Sequence, residues 1–477
     1  MKTSPVFPFY VFLFSVVMIL LVSVLLQQGM FMDGIQYACV SKNLAEGYGT
    51  FWFPFLSPFW CQNGAFHFFE HPPLFYFLES LFFRIPGAGP YAEKLFCALM
   101  WLLNALFIHK LWKLVYPVND QKRYHGWLPL LLWSIIPVCF WCFQNNMIEV
   151  AVSFFVLGSV YFGLRFLTPN KPKKYVYLLL SAGFLYGSFL TKGLVGLFPL
   201  TMFLVFAITH KDLSFKKAIA YTIVLALFFS VLFFAVYFLN PSANYTLNFY
   251  FKERLISRIE QTPTTSNRFE LLFDLVSQLL PVLMIILVVY GVQRARKQVP
   301  AAKEGTCWFW FFLLMGLSGS LPIMLTMVQK GFYFMPALAF YALAFAILIL
   351  GFFRTGRIHI QNRLYRSFKW FSYLLALGSI VFCCYSAGRF SRDEAVLKEV
   401  DVLGKMMAKE RTINVDMTVY CTWNYQFYLQ RYYRIYLDPT PTYRKYLVTE
   451  PGSNPAWINR YRLVKEFDSG YGLYERK

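Results

Sequence analysis

The sequence predicts an all-α polytopic membrane bundle of about eleven spanning helices, with a small α+β domain at its C-terminal end lying outside the cytoplasm. Three observations predict this. Of 477 residues, 58% are hydrophobic and only 14% charged, whereas a typical soluble domain is roughly a quarter charged. Apolar runs recur along the whole chain instead of forming one anchor, which gives a mean hydropathy of +0.47. Lys and Arg gather in alternate loops between those runs, as one threading through a bilayer requires.

Lipid cannot hydrogen-bond a bare backbone, so each apolar run of roughly twenty residues must be a helix. Such runs lie near 8–27, 94–115, 127–143, 149–167, 175–191, 193–209, 218–239, 272–292, 307–328, 333–353 and 370–388. The first lacks a small-residue cleavage site and reads as a retained helix. The basic loops hold Lys110, Lys113, Lys122 and Arg123; Arg165 with Lys171, Lys173 and Lys174; Lys211, Lys216 and Lys217; Arg294, Arg296, Lys297 and Lys303; and Arg354 through Lys369. Placed in the cytoplasm, they put the N-terminus inside and the first loop (28–93), the loop 240–271 and the tail outside. The expected organisation is a plasma (inner) membrane domain over 1–388 and an extracytoplasmic domain over 389–477. In that tail, RDEAVLKEVDVLGKMMAKE has helical periodicity, while TVYCTWNYQFYL, RIYLD, KYLVTE and YRLVKEF alternate like strands.

The formal charge of +21 belongs to loops flanking apolar runs, so it suits anionic headgroups and topology rather than nucleic acid. Cys97, Cys139, Cys142, Cys383 and Cys384 sit in or beside apolar runs as small hydrophobes. No disulfide framework or zinc site follows.

The residues that suggest chemistry sit at the outer ends of spans. Asp33 follows the first helix in MDGIQYA, where a solvated loop acid is the plainer account. Glu70 and His71 precede two prolines in FHFFEHPPL; prolines bar helix continuation and hold the acid at the interface, although a local ion pair also explains them. Glu149 opens the fourth helix, where the macrodipole alone favours an acid. Lys192 stands amid apolar residues with glycines on both sides in GSFLTKGLVG, where the positive-inside rule disfavours it. Lys330 and Tyr333 in VQKGFYFMP, and Arg254 and Arg258 in FKERLISRI, complete the set. Carboxylates and cations on one membrane face suit a phosphate-bearing substrate and a reaction needing a general base.

In order, D-G-x-x-Y-A, E-H-P-P-L, E-V-A-V-S-F-F, T-K-G and K-x-F-Y-F-M-P resemble the GT-C fold glycosyltransferases related to protein O-mannosyltransferases and the lipid A aminoarabinose transferase, over about residues 30–340. The resemblance implies transfer of a sugar from a polyprenyl-phosphate donor, undecaprenyl phosphate in a bacterium, to an extracytoplasmic acceptor such as lipid A, another glycan or a protein hydroxyl. It implies Asp33 as catalytic acid or base, with Gly34 where the family commonly has a second acid. It places Glu70 at the E-x-P acid and His71 at a position held by lysine. Glu149 stands where Asp is usual and joins Asp33 and Glu70 as the catalytic acids, while His71, Lys192, Arg254, Arg258, Lys330 and Tyr333 bind the substrate phosphate. Where relatives carry a metal-binding histidine, this sequence has Arg254, so no zinc site is assigned; the sequence requires no cofactor and leaves a divalent metal open. A transporter or flippase for a charged lipid is the alternative; it needs ionisable groups along the bilayer midplane, and the centres of these runs are nearly free of charge. A scaffold leaves the outer-face acids and cations without a role.

Overall fold

Helix formation follows the apolar runs closely in the computed structural model, which describes residues 5–60, 67–168, 174–256, 267–296, 305–325, 328–352, 363–407, 409–450, 452–453 and 458–477. Among the described residues, nine helices are long and apolar enough to cross a membrane. There are ten if Gln121–Ser134 and Pro137–Gln144, bent by 77°, form one span. The bend falls before Pro137, whose ring cannot continue the preceding helix. The protein is a multi-pass membrane protein.

One of the nine, Lys174–Thr209, has 36 residues, about 54 Å if straight and far longer than a hydrocarbon core of about 30 Å. It is not straight. Gly193 adopts φ +73°, and a Cβ on Gly196 would lie 3.0 Å from the backbone of Ser188, a residue about 12 Å away along an ideal helix. Phe203 then packs on Phe166 and Tyr221, with ring centroids 5.9 Å apart in both pairs. The chain therefore reverses at Gly193, and the sequence runs 175–191 and 193–209 are two antiparallel passes. Lys192 sits at their corner.

The chain forms two compact units. The helical unit comprises Met1–Ser23, Cys97–Gln144 and Ile148–Ala387. Its central element is Gly331–Gly351, 89% buried, while Phe215–Leu239 is only 6% buried; the latter's exposed Leu, Val and Phe side chains suit contact with lipid. Cys139 and Cys142 are buried free thiols in this unit.

The mixed unit comprises Val24–Phe96, Asn145–Met147 and Gly388–Lys477. It contains helices Met32–Ala45 and Leu74–Phe83 and a five-stranded sheet of order β2-β1-β3-β5-β4. The strands are β1 Thr412–Val415, β2 Tyr436–Asp438, β3 Tyr446–Thr449, β4 Tyr461–Glu466 and β5 Gly472–Arg476. β1 runs parallel to β2 and β3, and β5 antiparallel to β3 and β4. The first loop and the tail are stitched together: Gln28 N donates to Arg389 O at 2.7 Å and Ser391 N to Gln28 O at 2.9 Å.

The strand expectation holds for RIYLD, KYLVTE and YRLVKEF, and the helix expectation for Glu394–Met406. It fails for TVYCTWNYQFYL, which forms helices Met417–Cys421 and Trp423–Tyr428. Asp416 caps the first, accepting from Val419 N at 2.8 Å. Topology supplies the deeper reason, because the parallel strands β1 and β2 need a crossover and this segment is it. Tyr425, Phe427, Tyr428 and Leu429 are all buried, so the apolar content that resembles a strand is core on successive helical faces.

Candidate functional site

Within the helical unit, Glu149 opens the helix Glu149–Leu167 and Lys192 ends the helix Lys174–Lys192. The two helices pack side by side, which brings the start of one to the end of the other. Lys192 Nζ donates to Glu149 Oε1 in an ion pair whose members are 5% and 1% exposed. Tyr333 lies on the short turn Gly331–Phe334, and Lys192 Nζ is 4.4 Å from its ring centroid and 5.8 Å from that of Phe332. Phe332 in turn stacks on Trp141 at 5.8 Å. The left-handed Gly193 permits this corner: a Cβ there would meet the Tyr250 hydroxyl at 2.1 Å, and that hydroxyl donates to Lys192 O at 3.4 Å.

An ammonium group has three donors, and one is engaged by Glu149. The cluster thus offers a buried cation oriented by a carboxylate and flanked by aromatic faces. Among the described residues the buried Glu149 Oε2 has no hydrogen-bond partner, leaving an acceptor for a donor group brought by a ligand.

In the mixed unit, Asp33 lies in the first turn of Met32–Ala45, half-buried. This corrects its reading as a loop acid. The helix start is fixed by a segment distant in sequence: Phe31 N donates to Asn145 Oδ1 at 2.7 Å, and Asn146 Nδ2 to Gly34 O at 3.1 Å. Asn146 is held at φ 53°. Gly34 accounts for the missing second acid, since any Cβ there would lie 1.8 Å from Asn145 O. One helical turn beyond Asp33, Tyr37 Oη is 3.4 Å from Nε2 of buried His71. Glu70 beside it is half-buried, and Pro72 and Pro73 lead into Leu74–Phe83. A groove of about 500 Å³ lined by Phe31, Met32, Arg392, Asp393, Trp423 and Asn424 adjoins the helix start.

Of the residues predicted from sequence, Glu149, Lys192 and Tyr333 come together in the helical unit. Lys330, at the start of the same turn as Tyr333, is exposed. Asp33, Glu70 and His71 belong to the mixed unit. Arg254 lies on the turn Tyr250–Ile256 with its side chain outside the described residues, and Arg258 lies outside them altogether. Among the described residues no group of three or more His, Cys, Asp or Glu could hold a metal ion. Sequence reasoning missed Trp141, Asn145, Asn146 and Glu79; an acid inside LFYFLESLFF was the visible signal for the last.

Residues 70–237 match the family described as dolichyl-phosphate-mannose-protein mannosyltransferase. No curated protein matches the chain. Among solved structures, ArnT from Cupriavidus metallidurans bound to undecaprenyl phosphate superposes with a TM-score of 0.64 at 14% identity, covering 98% of this chain and 97% of that one. Its apo state gives 0.63 at 13% identity, over 96% and 95%. The archaeal oligosaccharyltransferase AglB from Archaeoglobus fulgidus gives 0.48 at 12% identity, over 94% and 70%. The family model matches residues 70–237, and from end to end the chain has the fold of ArnT.

Proposed function

We propose that this chain transfers a sugar from a polyprenyl-phosphate carrier such as undecaprenyl phosphate to an acceptor on the extracytoplasmic face of the inner membrane, with inversion at the anomeric carbon. The observation that carries the reading is Lys192, a cation buried at the corner between two passes, held by Glu149 and faced by Tyr333. A lipid-linked phosphate leaving group needs such a fixed positive charge. The undecaprenyl phosphate bound to ArnT, a protein of the same architecture, supports this choice of carrier.

Asp33 acts as the base. It takes the proton from the acceptor hydroxyl, whose oxygen attacks the anomeric carbon from the face opposite the phosphate. The carbon–oxygen bond to phosphate breaks, and the electron pair leaves on the polyprenyl phosphate. Lys192, with Lys330, Arg258, Arg254 and His71 as further cations and Tyr333 as a hydrogen-bond donor, receives that charge. Glu70 holds the acceptor or the sugar hydroxyls. An acceptor that is itself a phosphate needs no base, and Asp33 then orients it. The N-terminus lies in the cytoplasm and the C-terminal domain in the periplasm.

Purified protein in nanodiscs, supplied with polyprenyl-phosphate sugars and an envelope glycolipid extract, tests this. Wild type releases polyprenyl phosphate and glycosylates an acceptor, while Asp33→Asn and Lys192→Ala each lose about 100-fold or more in kcat. Native-like turnover by both variants overturns the site. Lipid crossing the bilayer with no turnover of any donor favours the transporter.

A further inference from the structure

Glu79 is completely buried in the helix Leu74–Phe83, and its two oxygens are both engaged. Asn146 Nδ2 donates to Oε1 at 2.6 Å and Ser41 Oγ to Oε2 at 2.6 Å. Asn146 Nδ2 also reaches Gly34 O, the residue after Asp33. Ser41 lies two turns further along the same helix. One carboxyl group therefore grips the helix Met32–Ala45 at two points, directly at Ser41 and through Asn146 at Gly34. Two points on a rigid rod fix both its rotation and its axial position, and these determine where Asp33 stands.

We propose that Glu79 is a positioning residue for Asp33, clamping the Asp33 helix through Ser41 and Asn146 and so keeping the carboxylate in its reacting place. The proposal rests on the assignment of Asp33 as the base. No substrate role is involved, because Glu79 is sealed from solvent. A carboxyl in such a place is kept for geometry: burying it is costly if it is ionised and unpaired, and an apolar residue would pack more cheaply.

The protonation state fits a clamp with a pH limit. Burial pushes the Glu79 carboxyl up to about 8, against the opposing hydrogen bonds from Ser41 and Asn146; Glu93 raises it further and Arg431 lowers it. Cys39, whose thiol burial also pushes up, interacts with Glu79 in turn, alongside Lys42, Glu93 and Arg431. Glu79 is accordingly neutral at pH 7: Oε1 still accepts from Asn146, and in the 2.6 Å contact with Ser41 the protonated Oε2 is then the donor and the Ser41 hydroxyl oxygen the acceptor. Ionisation above about 8 places a bare charge in the core and loosens the grip.

The test uses the full chain in nanodiscs with a polyprenyl-phosphate sugar, comparing wild type, Glu79→Gln, Glu79→Ala and Ser41→Ala. Glutamine keeps both contacts, since its carbonyl accepts from Asn146 and its amide donates to Ser41. It is expected to hold kcat within about 3-fold and to lack the fall in rate above pH 8 that is expected of wild type. Alanine is expected to lower kcat about 30-fold, the scale of a misplacement under 1 Å, with KM for the donor unchanged. Ser41→Ala, which removes one arm only, falls between them and serves if Glu79→Ala does not fold. Independently of turnover, hydrogen exchange at residues 31–35 speeds at least 10-fold in Glu79→Ala and stays slow in Glu79→Gln. Unchanged exchange there in Glu79→Ala, or a glutamine variant as impaired as alanine, overturns the clamp. A wild type that turns over no donor instead removes the sugar-transfer reading, and the exchange comparison still decides the clamp.

Discussion

Glu149 in the helical unit and Glu79 in the mixed unit are both buried almost completely, and the resulting electrostatic problem is solved in opposite ways at the two carboxyls, although the mixed unit also holds a buried ion pair, Glu93 with Arg431. In the helical unit Glu149 is paired with a cation, Lys192, one of whose neighbours is an aromatic face. In the mixed unit Glu79 has only neutral partners, a hydroxyl and a carboxamide. An ion pair keeps charge available inside a low-dielectric site, where it can respond to a charged ligand. A neutral hydrogen-bonded carboxyl gives up that charge and gains fixed geometry. The difference separates residues suited to charge stabilisation from residues suited to holding others in place. It also implies distinct failure modes, because removing half of an ion pair strands a charge and removing a neutral partner strands a lone pair.

The largest expected effect comes from splitting the ion pair. Lys192→Met leaves Glu149 buried without its cation, which costs about 3–5 kcal/mol and should lower the unfolding midpoint in a thermal or chemical melt of the nanodisc-held protein. Glu149→Leu combined with Lys192→Met removes both charges and should recover most of that stability while leaving the enzyme inactive. Stability lost equally in the single and double variants would mean that packing, and not charge, is what the pair supplies. A smaller effect is expected in the mixed unit from Gly34→Ala. The added Cβ would stand 1.8 Å from Asn145 O, so the helix start must shift, at a cost of about 1–3 kcal/mol as for other overpacked sites. Activity should fall further than stability, since Asp33 is the adjacent residue. Wild-type kcat in Gly34→Ala would show that Asp33 tolerates displacement.

Much of this was legible in the sequence, and for identifiable reasons. Runs such as 218–239 are apolar all round and long enough for only one fate in lipid. Lys192 was visible because a lysine between glycines at the end of an apolar run has no cheap explanation. The Glu149 partnership was not visible, because nothing in linear spacing brings the start of one helix to the end of the next; side-by-side packing does. Gly34 read as a departure from a family pattern, yet the structure gives it a steric cause in the backbone of Asn145, 111 residues later in the chain. The strand reading of TVYCTWNYQFYL failed because β-branched and aromatic content is shared by strands and by helices buried on several faces. A pattern within one segment cannot register that parallel strands on either side require a crossover.

The subtlest prediction concerns pH and belongs to the mixed unit alone. Burial raises the Glu79 carboxyl to about 8 from an ordinary 4.5 and lowers the Lys42 ammonium to about 8 from 10.5, with Arg431 adding to the fall and Glu46 opposing it. For Glu79 the unfolded chain loses its proton first, so the native state binds more protons between about 4.5 and 8, and stability declines as pH rises through that window. For Lys42 the unfolded chain keeps its proton longer, so stability grows as pH rises above about 8, until near 9 the Cys39 thiol of the same helix, raised by burial, begins to oppose it. The two windows meet, and the local stability of Met32–Ala45, which carries Lys42 and the clamp, should pass through a minimum near pH 8. Hydrogen exchange of that helix, corrected for the intrinsic rate at each pH from 6 to 10, measures it. Glu79→Gln should leave only the rising limb and Lys42→Met only the falling one. A profile in which both variants keep the same minimum as wild type would place its origin in other groups, and would remove the contrast between the ion-paired Glu149 and the neutral Glu79.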